Sequence, residues 1–185
     1  MTARIETIDE LLIHDVQDLF SAEEQLVMAL TKMASAADAP ELRAGLARHL
    51  EQTRQQLRRV EQALNLLGQS PSGEVCHGIE GLIAEGEKLM AAAGFGPVLD
   101  SALLDAARKV EHYEITAYRS AIAKAHELGR SDVAMLLETN LQEEELTDYR
   151  LQQMAEGMMP YSGPGSDPRD DGSEVIVGNG LRTAA

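Results

Sequence analysis

Residues 104–154, LDAARKVEHYEITAYRSAIAKAHELGRSDVAMLLETNLQEEELTDYRLQQM, decide the fold. Before the break at Gly129, one face reads Leu104, Ala107, Glu111, Glu114, Tyr118, Ala121, Ala125. After it, one face reads Val133, Leu137, Asn140, Glu144, Thr147, Leu151, Met154. Both keep the three-and-four spacing of a helix side that faces a core. Gly129 stops the first helix and Ser131 caps the second. A link this short forces the two helices to lie side by side and antiparallel.

Working outward, the N-terminal part predicts a second hairpin. A first helix over 7–37 opens on Thr7 and Glu10, a capping box, and carries Leu12, Val16, Leu19, Leu26, Leu30 and Met33. Asp38-Ala39-Pro40-Glu41 restarts the chain as a helix to residue 67, with the stripe Leu42, Leu46, Leu50, Leu57, Val60, Leu64, Leu67 and a stop at Gly68. A shorter helix over 75–93 lies between the hairpins, long enough to cross the bundle. The expectation is an all-α, ferritin-like antiparallel four-helix bundle over 1–159, with a crossover helix joining its halves. Residues 160–185, rich in Pro, Gly and Asp, read as a flexible tail ending in a short apolar peptide.

Composition agrees with helices and narrows the function. Aromatic residues make up 3% of the 185 and there is no Trp, so the core rests on Leu, Ile, Val, Met and Ala. A net charge of −15 argues against nucleic acid and anionic lipid as partners. A lone cysteine, Cys76, and a start without a secretory pattern fit a reducing, cytoplasmic setting. No apolar run of ~18 residues exists to span a membrane.

The stripes also show which charges point inward. Glu23 interrupts the first helix's apolar face, and Glu111, Glu114 and Glu144 interrupt those of the second hairpin. His49 sits near the middle of the second helix, at the edge of its stripe. Ionised carboxylates gathered at one depth repel each other and lose hydration, and a shared cation relieves both costs. Fe, Mn or Zn accepts carboxylate oxygen and imidazole nitrogen. Glu23, His49, Glu111, Glu114 and Glu144 are therefore the candidate metal ligands, with Asp18 and Asp148 as outer candidates. In this reading Glu111 bridges the centre, and Tyr118 is placed as an electron or hydrogen donor. The competing reading is a buried hydrogen-bond network with Tyr113, Tyr118 and Thr147, in a non-catalytic protein that acts by binding a partner.

The segments 13–30, IHDVQDLFSAEEQLVMAL, and 49–64, HLEQTRQQLRRVEQAL, with 76–89, CHGIEGLIAEGEKL, 109–121, KVEHYEITAYRSA, and 138–155, ETNLQEEELTDYRLQQMA, resemble the YciE/YciF-type stress proteins of the ferritin-like superfamily. The resemblance covers residues 5–157, and KVEHYEI and the C-x-x-x-E-G-L-I stretch are its most specific pieces. It implies a rubrerythrin-like bundle, a homodimer, a dimetal centre and a role in stress, and supplies no settled reaction; a carboxylate-rich Fe or Mn centre is itself what points to peroxide or dioxygen reduction or iron oxidation. Glu111, Glu114 and Glu144 match the family's acids, and Asp18, Glu23 and His49 match further recurring polar positions. The second and last long helices depart from the ferritin Glu-x-x-His pattern: Glu144 is followed by Thr147 and Asp148, and Glu51 by Arg54. The last stretch of the tail, DGSEVIVGNGLR, resembles peptides that load cargo into encapsulin shells, which implies an encapsulin shell as partner through residues 172–185.

Overall fold

Thr7 begins the first helix by accepting from the Glu10 amide at 3.2 Å, while the Glu10 carboxylate accepts from the Thr7 amide at 3.0 Å. This reciprocal cap satisfies two amide groups that a helix start leaves unpaired. In the computed structural model, which describes residues 4–71 and 75–158, five helices follow in order: α1 (Ile8–Ala36), α2 (Pro40–Leu66), α3 (His77–Ala92), α4 (Pro97–Glu127) and α5 (Ser131–Met158). The sequence-predicted boundaries agree with these to within two residues. The tail and its proposed targeting peptide lie outside the described residues.

The helix stops are chemical. Gly68 and Gly129 take positive φ (73° and 69°), a conformation cheap only for glycine. Beyond each, the next amide reaches back to the last turn: Gln69 to the Leu64 carbonyl at 2.9 Å, Arg130 to that of Ala125 at 2.8 Å. The α1–α2 link has no such device. Its Ala39 cap offers no side chain, and Pro40 starts α2. The partner comes from another helix. Asp100, buried in the first turn of α4, accepts from the amides of Asp38 and Ala39, each at 2.8 Å. At the opposite end Arg130 donates to the Leu66 carbonyl at 2.8 Å, tying the α4–α5 link to the end of α2.

The four long helices pack as a ring, α1 on α2, α2 on α5, α5 on α4 and α4 on α1. Two apolar clusters give their directions. One joins the start of α1 (Leu12, Val16, Leu19) to the ends of α2 (Val60, Leu64) and α4 (Ala121, Ala125) and the start of α5 (Val133, Leu137). The other joins the end of α1 (Leu30) to the starts of α2 (Leu42, Leu46) and α4 (Leu99, Leu103) and the end of α5 (Leu151). Each helix therefore runs antiparallel to both of its ring neighbours, the ferritin-like arrangement of two hairpins joined by a long crossover. The crossover helix α3 lies over the groove between α1 and α4, burying Cys76 and Ile79 against Ala22, Leu26 and Val110. Among the described residues, no helix is long and apolar enough to cross a membrane.

One stripe differs from the sequence reading. On α2 the buried line is Leu42, Leu46, His49, Thr53, Gln56, Val60, and Leu50 and Leu57 are only half-buried. Hydropathy drew the stripe toward the leucines, whereas the centre of that face is polar at mid-helix.

Candidate metal centre

Between the two apolar clusters lies a polar layer. Glu23, Glu111 and Glu144 each fall within one residue of the middle of α1, α4 and α5. Because the helices share a common span, mid-helix residues meet at one height. Glu23, Glu111 and Glu144 are fully buried, Glu114 is 1% exposed and His49 4%. The side chains converge. His49, Glu111 and Glu144 offer ligand atoms that all lie within 4.8 Å of one another, and so do Glu23, Glu114 and Glu144. Each triad draws on three helices, and Glu144 belongs to both. The sequence reading puts Glu111 at the centre; the geometry gives the shared position to Glu144. Glu111 and Glu114, three residues apart on α4, are offset by about 4.5 Å along the axis, close to the ~3.5–4 Å spacing of two-metal sites.

The layer is rich in acceptors and poor in donors. Glu23 Oε2, both oxygens of Glu111 and of Glu144, Glu114 Oε1 and His49 Nδ1 are buried with no hydrogen-bond partner among the described residues. His49 Nε2 approaches Glu111 Oε1 at 2.8 Å without the alignment of a hydrogen bond. Native interiors leave only a few such atoms per hundred residues, whereas seven gather here on five side chains. Burial pushes the Glu111 carboxyl up to about 8 and holds those of Glu23, Glu114 and Glu144 well above the usual carboxylate range. Neighbouring acids add to the effect, Glu144 on Glu23 and on Glu114, Glu111 on Glu144. Burial lowers the His49 imidazole, outweighing Glu144 and Glu23, so it stays neutral and keeps a lone pair. Four carboxylates and one neutral imidazole would balance two divalent cations in charge, and the unpartnered atoms are hard and borderline donors suited to Fe or Mn. The residues present fit a dimetal centre.

Around this layer the structure adds support. The Tyr118 hydroxyl, fully buried, donates to Glu23 Oε1 and accepts from Asn140 Nδ2 at 2.8 Å. Asn140 Oδ1 accepts from Arg59 at 2.7 Å, and Arg59 forks onto Glu143 at 2.8 and 2.9 Å. A chain of polar groups thus runs from a half-exposed ion pair to Glu23. Burial and the nearby acids raise the Tyr118 phenol, which stays protonated as the donor. Gln56, fully buried on α2 with neither side-chain polar atom partnered, was absent from the sequence reading. Its signal was available: it stands seven residues after His49 on the same helical face.

Two candidates lie elsewhere. Asp148 pairs with Arg108 at 3.0 Å and His112 at 3.4 Å at the partly exposed edge of the α4–α5 seam. Asp18 accepts from the Cys76 thiol at 3.0 Å and the Tyr113 hydroxyl at 3.2 Å, under the start of α3. Neither belongs to the two triads. Each is one turn or more from the ligand position on its helix and has found a local donor instead. Burial raises the Cys76 thiol, which remains protonated.

The fold and this layer define a ferritin-like helical bundle with a carboxylate-rich core. The chain belongs to the family described as Domain of unknown function (DUF892), whose model matches residues 7–161. It is 37% identical over 152 residues to Protein YciF of Escherichia coli (strain K12), covering 82% of this chain and 92% of that protein. The crystal structure of that E. coli stress protein superposes with a TM-score of 0.80 at 36% identity, covering 83% of this chain and 98% of the other. A Rhodopseudomonas palustris protein, YcfI, described as a candidate structural protein, gives 0.79 at 41% identity over 82% and 97% of the two chains. A ferritin-like, diiron-carboxylate protein from Bacillus anthracis shares the fold at a TM-score of 0.65 and 14% identity, over 82% and 99% of the two chains.

Proposed function

We propose that this chain is a ferritin-like dimetal protein of the stress response, holding Fe or Mn between Glu23, His49, Glu111, Glu114 and Glu144. The observation that carries the reading is the set of unpartnered buried oxygens in two triads that share Glu144. A bound redox metal pair supplies the electrons for reducing peroxide or dioxygen, or accepts them from further ferrous iron. The chain's own contribution is positional. The Tyr118 hydroxyl fixes one oxygen of Glu23 and leaves Oε2 free. The neutral His49 keeps a nitrogen lone pair toward Glu111 and Glu144. The apolar clusters above and below exclude bulk water and strengthen every charge interaction in the layer.

Elemental analysis of protein made with ample iron or manganese tests this, with about two ions per chain expected and loss of metal in Glu111→Ala. Anaerobic ferrous loading followed by oxygen should develop near-ultraviolet absorbance. Protein that never retains metal, and whose Glu111→Ala variant merely melts at a higher temperature, would sink the proposal.

The second reading is a non-catalytic stress-associated dimer with protonated, structural acids. The raised carboxyls and the Tyr118–Glu23 bond favour it, since a proton-filled layer needs no cation. Homodimerisation and loading into an encapsulin shell through residues 172–185 rest on resemblance. Sedimentation of the full chain checks the first, and co-purification of a chain lacking residues 172–185 with a shell checks the second.

A further inference from the structure

Four hydrogen-bonding side chains, one from each long helix, form a line across the bundle. Arg59 on α2 donates to Asn140 Oδ1 on α5 at 2.7 Å, Asn140 Nδ2 donates to the Tyr118 hydroxyl on α4 at 2.8 Å, and Tyr118 donates to Glu23 Oε1 on α1. Each link crosses one seam of the ring, in the order α2, α5, α4, α1. The line runs in one direction only. A guanidinium has donors and no acceptor, so the Asn140 oxygen has to face Arg59. One Asn140 hydrogen goes to the Gln56 carbonyl at 3.2 Å, which can only accept. The other goes to Tyr118, whose hydroxyl therefore accepts from Asn140 and has its single hydrogen left for Glu23.

The two ends of the line differ in exposure. Glu23, Tyr118 and Asn140 are fully buried, whereas the Arg59 and Glu143 side chains are 20% and 26% exposed. Glu143 grips Arg59 with two bonds, at 2.8 and 2.9 Å. A bidentate grip fixes the plane of the guanidinium, and Nη1, the nitrogen that reaches Asn140, is one of the two it holds. At the inner end, rotation of the Glu23 carboxylate would exchange the oxygens it offers to Glu114 and Glu144. The Tyr118 hydrogen pins Oε1, and Oε2 is the oxygen with no partner among the described residues. Glu111 and Glu144 have no comparable support, since both oxygens of each are unpartnered among those residues.

We propose that Arg59 is a positioning residue for Glu23: through Asn140 and Tyr118 it holds the carboxylate in the orientation that faces Glu114 and Glu144, so that a half-exposed cation governs metal held on that side of the centre. Control of metal rests on the dimetal reading, whereas the positioning is read without metal. Arg59→Met keeps an unbranched stem and removes every donor; Arg59→Lys keeps a charged donor. In the metal-free full-length chain, carrying carbon-13 at the tyrosine Cζ, Arg59→Met should move the Tyr118 signal and leave those of Tyr113 and Tyr149 in place. Arg59→Lys should return it most of the way. A Tyr118 signal that ignores Arg59→Met, or that both variants move equally, would overturn the positioning. Manganous ion alone is the probe for the second test, a calorimetric titration of the full-length chain. Arg59→Met should weaken one of the two ions about tenfold, the scale of losing an outer hydrogen-bond partner of a ligand, and leave the other unchanged. In a chain that already carries Tyr118→Phe, which cuts the line beyond Asn140, Arg59→Met should cost nothing further. Additive losses, or equal weakening of both ions, would overturn the control of metal by this line. A native chain that binds no manganous ion, with the Tyr118 signal behaving as described, would defeat the dimetal reading and spare the positioning. Two bound ions and a Tyr118 signal, all indifferent to Arg59→Met, would defeat this inference alone.

Discussion

The ends of the bundle and its waist use the same four helices and the same inward positions, yet they obey opposite rules. At the ends Leu12, Leu64 and Leu137, or Leu42, Leu46 and Leu103, build the core from hydrocarbon. At the waist the same faces carry Glu23, His49, Gln56, Glu111, Glu114 and Glu144, each with at least one buried atom unpartnered among the described residues. The ends accumulate stability and the waist dissipates it. A layer that costs folding energy while the rest supplies it is where function is to be sought.

The comparison can be broken most decisively at Glu144, the residue common to both triads. Glu144→Ala should eliminate retention of both metal ions by elemental analysis, whereas Glu23→Ala should spare the His49 side in part. At the ends, Leu46→Ala should lower the unfolding free energy by ~2–5 kcal/mol in urea titration, with and without metal. In the chelated protein the waist should make stability fall with pH. The Glu111 carboxyl titrates near 8 when folded and near 4.5 when unfolded, so the folded state holds the extra proton between those values. The stabilisation is complete on the acid side and is lost as pH rises through about 8. Melting temperatures measured from pH 6 to pH 9 should show this decline, and Glu111→Gln should flatten it. Tyr118→Phe strips Glu23 and Asn140 of a partner and should cost ~1–3 kcal/mol. Smallest of all, Gln56→Leu, which swaps an unpartnered amide for hydrocarbon, should stabilise the metal-free chain by ~1 kcal/mol.

Much of this was legible in the sequence because helix periodicity is a strong signal. Thr7 and Glu10, Gly68 and Gly129, and the faces of α4 and α5 could be read directly, and with them the bundle. Glu23, Glu111, Glu114 and Glu144 stood out as acids on apolar stripes. Gln56 did not, because Leu57 beside it outweighs it in hydropathy and moved the α2 stripe by one position. Asp18 and Asp148 illustrate another limit. Their helices and approximate heights were clear, but whether an acid turns to the centre or to an Arg, Tyr or Cys at the seam depends on tertiary neighbours.

The Asp100 carboxylate, which receives the two amides of the α1–α2 link, works as a datum for the whole molecule. From that point α2 and α4 run in the same direction, so His49 and Glu111 are counted off from a common origin like graduations on two rulers. One residue inserted in either helix before His49 or Glu111 would advance that side chain by 1.5 Å and swing it about 100° around the axis. Spacing between the pin and the polar layer is thus as much a part of that layer as its side chains.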